Sequence, residues 1–458
     1  MRNKSVLKAF GIMLFVTFIL TWVIPSSVMG NGVTIGKIAP TGWADIFTSL
    51  EIVAQYFLKP AIFVLFVGMF YGVANKSGAL KGVVDYLVSK FKKKKGLFVI
   101  ITAIFYALVT ALTGMYLQLF MFIPLSIAVL LGLKYNKVQS VLATVGASTI
   151  GLLAAIFNSM INAMASTDAN PYLWIKIVLL VVLVALTVLY IIKVAPKKEK
   201  KEEKEESIMF IPTARAAKKK VNVKGLSLAI ILGLIFVVFV LGLTPWKNAD
   251  AFANAYTAIK NVKIGNFNIF NSILGTFEVF GSWTYNSLYP TIALSIIILA
   301  ISTRLSFGEM IESAIEGAKK VMGVAILSAI ISLVVIFALN SGFVGTIINV
   351  ISKNGNIALA TVASFIGVPF MTEETYAIQY IMSGLYYSVN NKELLSLYGL
   401  IIQTTFGTVM LLAPSSVLLM MGLAYVEEGY GKWLKYIWKF VLATFVAVLI
   451  AITVATLI

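Results

Sequence analysis

Long apolar runs separated by short polar or basic stretches recur along the whole chain. A helix needs about 20 apolar residues to cross a bilayer, and runs that are continuous rather than alternating favour helices over barrel strands. The pattern predicts membrane helices at 9–24, 52–73, 96–113, 119–133, 171–192, 225–243, 289–302, 321–339 and 433–458. Residues 31–50 and 244–285 are predicted to be external loops.

Four further apolar runs do not fit a single crossing each. The charge-free stretches 138–167 and 394–426 are too long for one untilted helix, whereas 357–371 and 376–389 are too short. Polar residues or prolines interrupt them, and similar interruptions occur in both halves of the chain. We therefore predict an all-α polytopic membrane protein, with about 10–13 transmembrane or re-entrant helices in two inverted-topology repeats with broken helices.

The most hydrophilic segment, 196–224, is rich in lysine and glutamate. It is predicted to be a charged cytoplasmic linker between a first repeat, 1–195, and a second repeat, 225–458. The basic start of the chain and Lys92–Lys95 place the N-terminus in the cytoplasm of a multi-pass plasma-membrane protein. A signal peptide is the alternative for the first apolar run, but the many later spans favour a first helix.

Composition narrows the classes of function. Only 12% of the residues are charged, against about 25% in soluble domains. The net charge of +18 comes from lysine clusters between apolar runs, which favours the positive-inside rule over nucleic-acid binding. The chain has no cysteine or histidine, and no nucleophile, metal constellation or phosphate-binding loop is visible. We therefore predict a protein that is not an enzyme and has no metal or cofactor, with Na⁺ or H⁺ as a candidate coupling ion.

The candidate site centres on Glu373 and Glu374, the only charged residues between positions 354 and 391. A carboxylate inside a bilayer costs at least about 2.5 kcal/mol, so such residues are usually functional. The alternative is a loop tip between two full crossings, with both glutamates exposed to water. Further candidates are the polar residues beside the acids and at the other breaks: Thr372, Gln118, Asn158, Ser159, Asn162, Gln403, Thr404, Thr405, Ser415 and Ser416. For the asparagines, hydrogen bonding between helices is an equal alternative.

Several motifs, in order along nearly the whole chain, resemble one known family. They are Trp22-Val23-Ile24-Pro25, Gly68-Met69-Phe70-Tyr71-Gly72-Val73, Ser77-Gly78-Ala79, residues 307–318, Pro414-Ser415-Ser416-Val417-Leu418 and residues 430–435. The chain resembles the C4-dicarboxylate anaerobic carrier family (YfcC/DcuC-like) of the ion transporter superfamily, which includes arginine/ornithine antiporter-like members. The resemblance implies an inverted-repeat fold with re-entrant hairpins. Relatives place a Glu-Glu pair after the first-half Gly-Met, where this chain has Gly114-Met115 followed by Tyr116, Leu117 and Gln118.

Two carboxylates without a lysine or arginine nearby in sequence favour a cationic substrate. We therefore predict a secondary active transporter of a small charged metabolite, with an arginine/ornithine-type amino-acid antiporter as the first choice. The alternative is an ion-coupled carrier of C4-dicarboxylates or other carboxylates, in which Asn158, Ser415 and helix N-termini hold the anion. Broken helices in both halves favour alternating access over a channel. The expected partners are a small-molecule substrate and lipid, and a homodimer is left open.

Overall fold

The computed structural model describes residues 4–30, 32–156, 161, 164, 170–194, 209–210, 223–246, 250–269, 272, 275, 278–353, 355–389 and 391–458. Most of them are helical, and eight helices in this part of the chain are long and apolar enough to cross a membrane. The prediction of an all-α polytopic membrane protein is confirmed. The inverted symmetry of the two halves and the domain boundaries stay predictions. Asn158, Ser159 and Asn162 lie outside the described residues.

The helices of the first half are numbered in chain order. They are α1 (Lys4–Val23), α2 (Trp43–Ile52), α3 (Leu58–Lys76), α4 (Ala79–Phe91), α5 (Lys95–Thr113), α6 (Ile123–Gly132), α7 (Lys137–Val141), α8 (Ala147–Leu153) and α9 (Leu173–Lys193). A hairpin of β1 (Ser27–Gly30) and β2 (Gly32–Ile35) follows α1, with Ser27 paired to Ile35. Its Ser27 hydroxyl donates a hydrogen bond to the carbonyl of Gly342, 2.8 Å away. The hairpin thereby connects the first half to the second.

The second half follows the charged linker. Its helices are α10 (Val223–Leu243), α11 (Asp250–Lys260), α12 (Tyr285–Thr303), α13 (Phe307–Ile330), α14 (Leu333–Ser341), α15 (Phe343–Ser352), α16 (Ile357–Gly367), α17 (Glu374–Tyr376), α18 (Ser383–Val389), α19 (Leu395–Met410), α20 (Val417–Tyr425) and α21 (Tyr430–Ala455). The predicted loop 244–285 contains α11 and a small hairpin of β3 (Lys263–Ile264) and β4 (Phe267–Asn268).

Two long helical spans pack against each other at the centre of the fold. One runs through α2 and α3, Trp43–Lys76, and the other through α13 and α14, Phe307–Ser341. They meet at Gly68, Gly72 and Gly317, which we call the glycine seam. A Cβ atom at Gly317 would lie 2.1 Å from the carbonyl oxygen of Gly68, so the backbones touch where glycine alone fits. The seam fixes the distance between the two halves.

The breaks predicted from interrupted apolar runs are present. Helix α5 ends at Gly114, whose φ of +74° is a left-handed conformation, and a 3₁₀ turn at Gln118–Met121 leads into α6. Helix α16 ends where Pro369 enters a second 3₁₀ turn, Val368–Phe370. Residues 411–416 separate α19 from α20. Each break leaves backbone groups outside regular helix, which a membrane protein tolerates only where protein or water covers them.

Two predictions about element boundaries were wrong. Helix α2 starts at Trp43, inside the predicted loop 31–50, because the Asp45 carboxylate accepts the backbone N–H of Gly42 and satisfies the helix start. The interruption predicted at 403–407 is also absent, since α19 runs unbroken through it. There the Thr404 hydroxyl donates to the Leu400 carbonyl, 2.8 Å away, within the helix. Polar side chains satisfied in this way need no unwinding.

Three π-helical turns occur inside otherwise regular helices. They lie at Val53–Phe57 between α2 and α3, at Leu142–Gly146 between α7 and α8, and at Ala377–Met382 between α17 and α18. Such turns are rare and frequently lie at functional sites. The third begins three residues after Glu374 and therefore sets how the predicted acid pair is oriented.

Candidate functional site

The acid pair lies at the break between α16 and α17. The chain passes from the 3₁₀ turn through Met371 and Thr372 to Glu373, which is the N-cap of α17. Neither glutamate is exposed: both side chains are half-buried, and Thr372 is 3% exposed. This environment differs from the water-exposed loop tip that was the alternative.

Two tyrosines from distant parts of the chain face the acids. Tyr116, in the break after α5, is hydrogen-bonded to the backbone of Glu374 and interacts electrostatically with both glutamates. Tyr285, at the start of α12, interacts electrostatically with Glu373. The break after α5 therefore lies next to the acid pair.

A buried lysine completes the group. Lys176, in the first turn of α9, is 4% exposed and interacts electrostatically with Glu374. Among the residues that the structure describes, it is the only cationic side chain in the buried class. No lysine or arginine lies near the glutamates in sequence, but the fold brings Lys176 within electrostatic reach of Glu374. We call Lys176, Glu373, Glu374, Tyr116 and Tyr285 the acid–lysine cluster.

The segment that follows α8, residues 154–156, lies against helix α19. The Gln403 side-chain amide donates to the carbonyls of Leu152, at 3.3 Å, and Ala155, at 2.7 Å. The N–H of Ile156 donates to the carbonyl of Ala111 in α5, at 2.9 Å. The chain next to the predicted Asn158 site is thus held between α19 and the end of α5, close to Tyr116.

The second-half breaks are also joined to each other. The Ser415 hydroxyl donates to the carbonyl of Pro369, which precedes the acid pair. The hydroxyls of Ser364 and Thr405 lie 2.6 Å apart and link α16 to α19. Ser416 has a capping role, because its hydroxyl accepts the N–H of Leu419 at the start of α20. The predicted site residues of the second half therefore form one packed unit, in which some position the breaks and others can face a ligand.

Several buried polar atoms in this region have no hydrogen-bond partner among the described residues. They are Gln118 Oε1, Thr372 Oγ1, Gln403 Oε1 and the Tyr285 hydroxyl oxygen. Buried polar groups are nearly always paired, so unpaired ones at a break indicate a place where water or a ligand binds. The acid–lysine cluster and the adjacent Thr372 hydroxyl have the groups needed to bind a small charged molecule.

Sequence reasoning missed three members of the cluster. Tyr116 and Tyr285 gave no signal, because one aromatic hydroxyl among 19 tyrosines carries little information. Lys176 did give one: it lies in the apolar run 171–192, and an intramembrane cation is a functional candidate for the same reason as an intramembrane acid.

Two comparisons with known proteins give matches that cover most of the chain. A family model described as "C4-dicarboxylate anaerobic carrier" matches residues 8–384. A solved structure, the YdaH transporter of Alcanivorax borkumensis, aligns over 99% of this chain and 98% of its own at 14% identity and a TM-score of 0.41. This structural similarity is weak. The search of curated proteins found no significant match.

Proposed function

Because the chain belongs to the C4-dicarboxylate anaerobic carrier family, we propose that it is a secondary active carrier of C4-dicarboxylates across the plasma membrane. The family description supports the carboxylate carrier that the sequence left as an alternative. It gives no support to the arginine/ornithine antiporter. The observation that carries the proposal is the buried Lys176 beside Glu374.

A dianionic substrate needs a cation where water is excluded. Desolvating a carboxylate is costly unless it is paired and hydrogen-bonded. Lys176 supplies the charge, and the hydroxyls of Tyr285 and Thr372 are unpaired donors in the same region. A substrate carboxylate that approaches Lys176 replaces the attraction of Glu374, so Lys176 has an anionic partner both when the site is empty and when it is loaded.

Glu373 and Glu374 supply the coupling in this proposal. When a substrate carboxylate takes Lys176, the two glutamates gain an unfavourable negative neighbour. Binding of H⁺ or Na⁺ by the glutamates relieves that repulsion. Substrate and cation therefore bind more tightly together than separately, which is the thermodynamic requirement for symport.

The test is uptake by purified protein in proteoliposomes. Labelled succinate or fumarate, arginine and ornithine are compared, each with and without imposed H⁺ and Na⁺ gradients. We expect saturable dicarboxylate uptake that an inward cation gradient accelerates, with arginine and ornithine at the level of protein-free liposomes. Gradient-dependent or counterflow uptake of arginine, without dicarboxylate uptake, would reject the proposal in favour of the antiporter.

A further inference from the structure

The charged linker contains two buried apolar residues. Between Lys197 and Lys224 the chain is dominated by lysine and glutamate, a composition typical of a solvated segment. Yet Met209 is 7% exposed and Phe210 is 2% exposed. An apolar side chain in such a segment is buried only where other parts of the protein form a site for it. The residues that form this site show which parts of the fold the linker contacts.

Phe210 is held by three helices that are far apart in sequence. Its backbone N–H donates to the hydroxyl of Tyr425 in α20, 3.1 Å away. Its ring centroid lies 5.8 Å from that of Tyr71 in α3. The ammonium of Lys320 in α13 lies over the ring, 5.5 Å from its centroid, which is within the range of a cation–π interaction.

These contacts belong to two different parts of the molecule. Tyr71 and Lys320 are on the two long helices that form the glycine seam. Tyr425 is on α20, directly after the break at 411–416, and its ring lies edge-on to Phe120 in the first-half 3₁₀ turn at 5.9 Å between centroids. The Tyr71 hydroxyl donates to the carbonyl of Met121 in that same turn, at 2.9 Å. Phe210 therefore lies where the seam helices meet broken segments of both halves.

From this placement we propose that Met209–Phe210 is an intramolecular latch. Seated between α3, α13 and α20, it ties the linker to the broken helices and stabilises one arrangement of the carrier. Alternating access requires the broken elements to move against a fixed part, and a contact present in one arrangement alone shifts the equilibrium toward it. Release of the latch then frees the break at Gln118–Met121 and speeds the transport cycle.

The experiment measures access to that break without using substrate, so it is independent of the proposed function. The native chain has no cysteine. Met121 is fully buried, and its carbonyl accepts the hydroxyl of Tyr71, whose ring packs against that of Phe210. Met121→Cys is therefore made as the reporter, and its reaction with a thiol reagent is followed in detergent-solubilised protein. Phe210→Ala is the test variant. Phe307→Ala is the matched control, because Phe307 is 76% exposed on one of the same helices.

We expect Phe210→Ala to raise the labelling rate about tenfold or more, and Phe307→Ala to leave it unchanged. Tyr425→Phe is near-isosteric and removes the acceptor for the Phe210 N–H, so it should raise the rate about fivefold even if Phe210→Ala fails to fold. An unchanged labelling rate in Phe210→Ala would overturn the latch. If Phe210→Ala does not fold, an unchanged rate in Tyr425→Phe would overturn it instead. An equal increase in Phe307→Ala also overturns it, because the effect would then be a general loosening. Failure of dicarboxylate uptake would reject the proposed function and leave this result standing.

Discussion

At the scale of single residues, the proposed function makes Lys176 the residue that selects an anionic substrate. Lys176→Gln removes the charge and keeps most of the side-chain volume. We expect dicarboxylate uptake at a subsaturating concentration to fall about 10- to 100-fold, the range for a lost hydrogen bond to a charged group. Lys193→Gln is the control, since Lys193 is exposed at the other end of α9. Uptake is measured in proteoliposomes at matched protein content.

A purely structural role for Lys176 predicts a different result in the double variant. Lys176→Gln leaves the half-buried Glu374 without the attraction of its cationic neighbour, so this variant alone should also lower stability. Adding Glu374→Gln removes the uncompensated charge and should restore the melting temperature. If Lys176 binds substrate, uptake stays low in that double variant. Recovery of uptake together with stability would show that Lys176 acts only as a partner for Glu374.

The two glutamates are expected to differ. Glu374 interacts electrostatically with Lys176, and Glu373 interacts with Tyr285. Glu373 is the extended N-cap of α17, whereas Glu374 is its first helical residue. Glu→Gln at one of them should abolish the response of uptake to an imposed cation gradient, while the protein stays folded in size-exclusion chromatography. Normal gradient-driven uptake in both single variants and in the double variant, over a range of pH, would remove the acid pair from the mechanism.

At the scale of elements, the glycine seam sets how closely the two long spans approach. Gly317→Ala puts a methyl group 2.1 Å from the Gly68 carbonyl, and backbone cannot move aside as a side chain can. Overpacking typically costs 1–3 kcal/mol, so we expect a loss of stability of about 3 kcal/mol or more. Gly308→Ala on the same helix meets nothing within 4 Å and is the control. Thermal unfolding in detergent compares them, and equal melting temperatures would contradict the seam.

The elements also show what sequence can predict. The breaks at Gly114, Pro369 and Pro414 were predictable from sequence. Glycine or proline beside polar residues interrupts an apolar run, and both residue types are visible in the sequence itself. The uninterrupted course of α19 was not, since it depends on Leu152 and Ala155 accepting the Gln403 amide across the fold. The proximity of Lys176 to Glu374 was hidden for the same reason: tertiary packing, not spacing along the chain, brings them together.

At the scale of the whole molecule, charge distribution predicts orientation. The lysine clusters predict that the N-terminus and the linker lie in the cytoplasm. In intact cells, a cysteine introduced at Ser207 should resist an impermeant thiol reagent added outside. A cysteine at Lys37, exposed after the β1–β2 hairpin, should react readily. Because the native chain lacks cysteine, each signal comes from one position. Labelling of the cysteine at position 207 from outside would contradict the predicted topology.

The π turn at Ala377–Met382 sets the angular phase between the acid pair and the helix that follows. A π turn holds one residue more than a turn of α-helix, so it absorbs an extra residue without rotating the segments on either side of it. Deleting the exposed Gln379 would therefore turn the wide turn into a regular one and leave Glu374 directed as before. Deleting a residue from the regular helix α18 would instead rotate the acids by about 100°, because the end of α18 is anchored against α15 and the β1–β2 hairpin. In evolution, a single codon could thus be lost or gained at the π turn with every charge left in place.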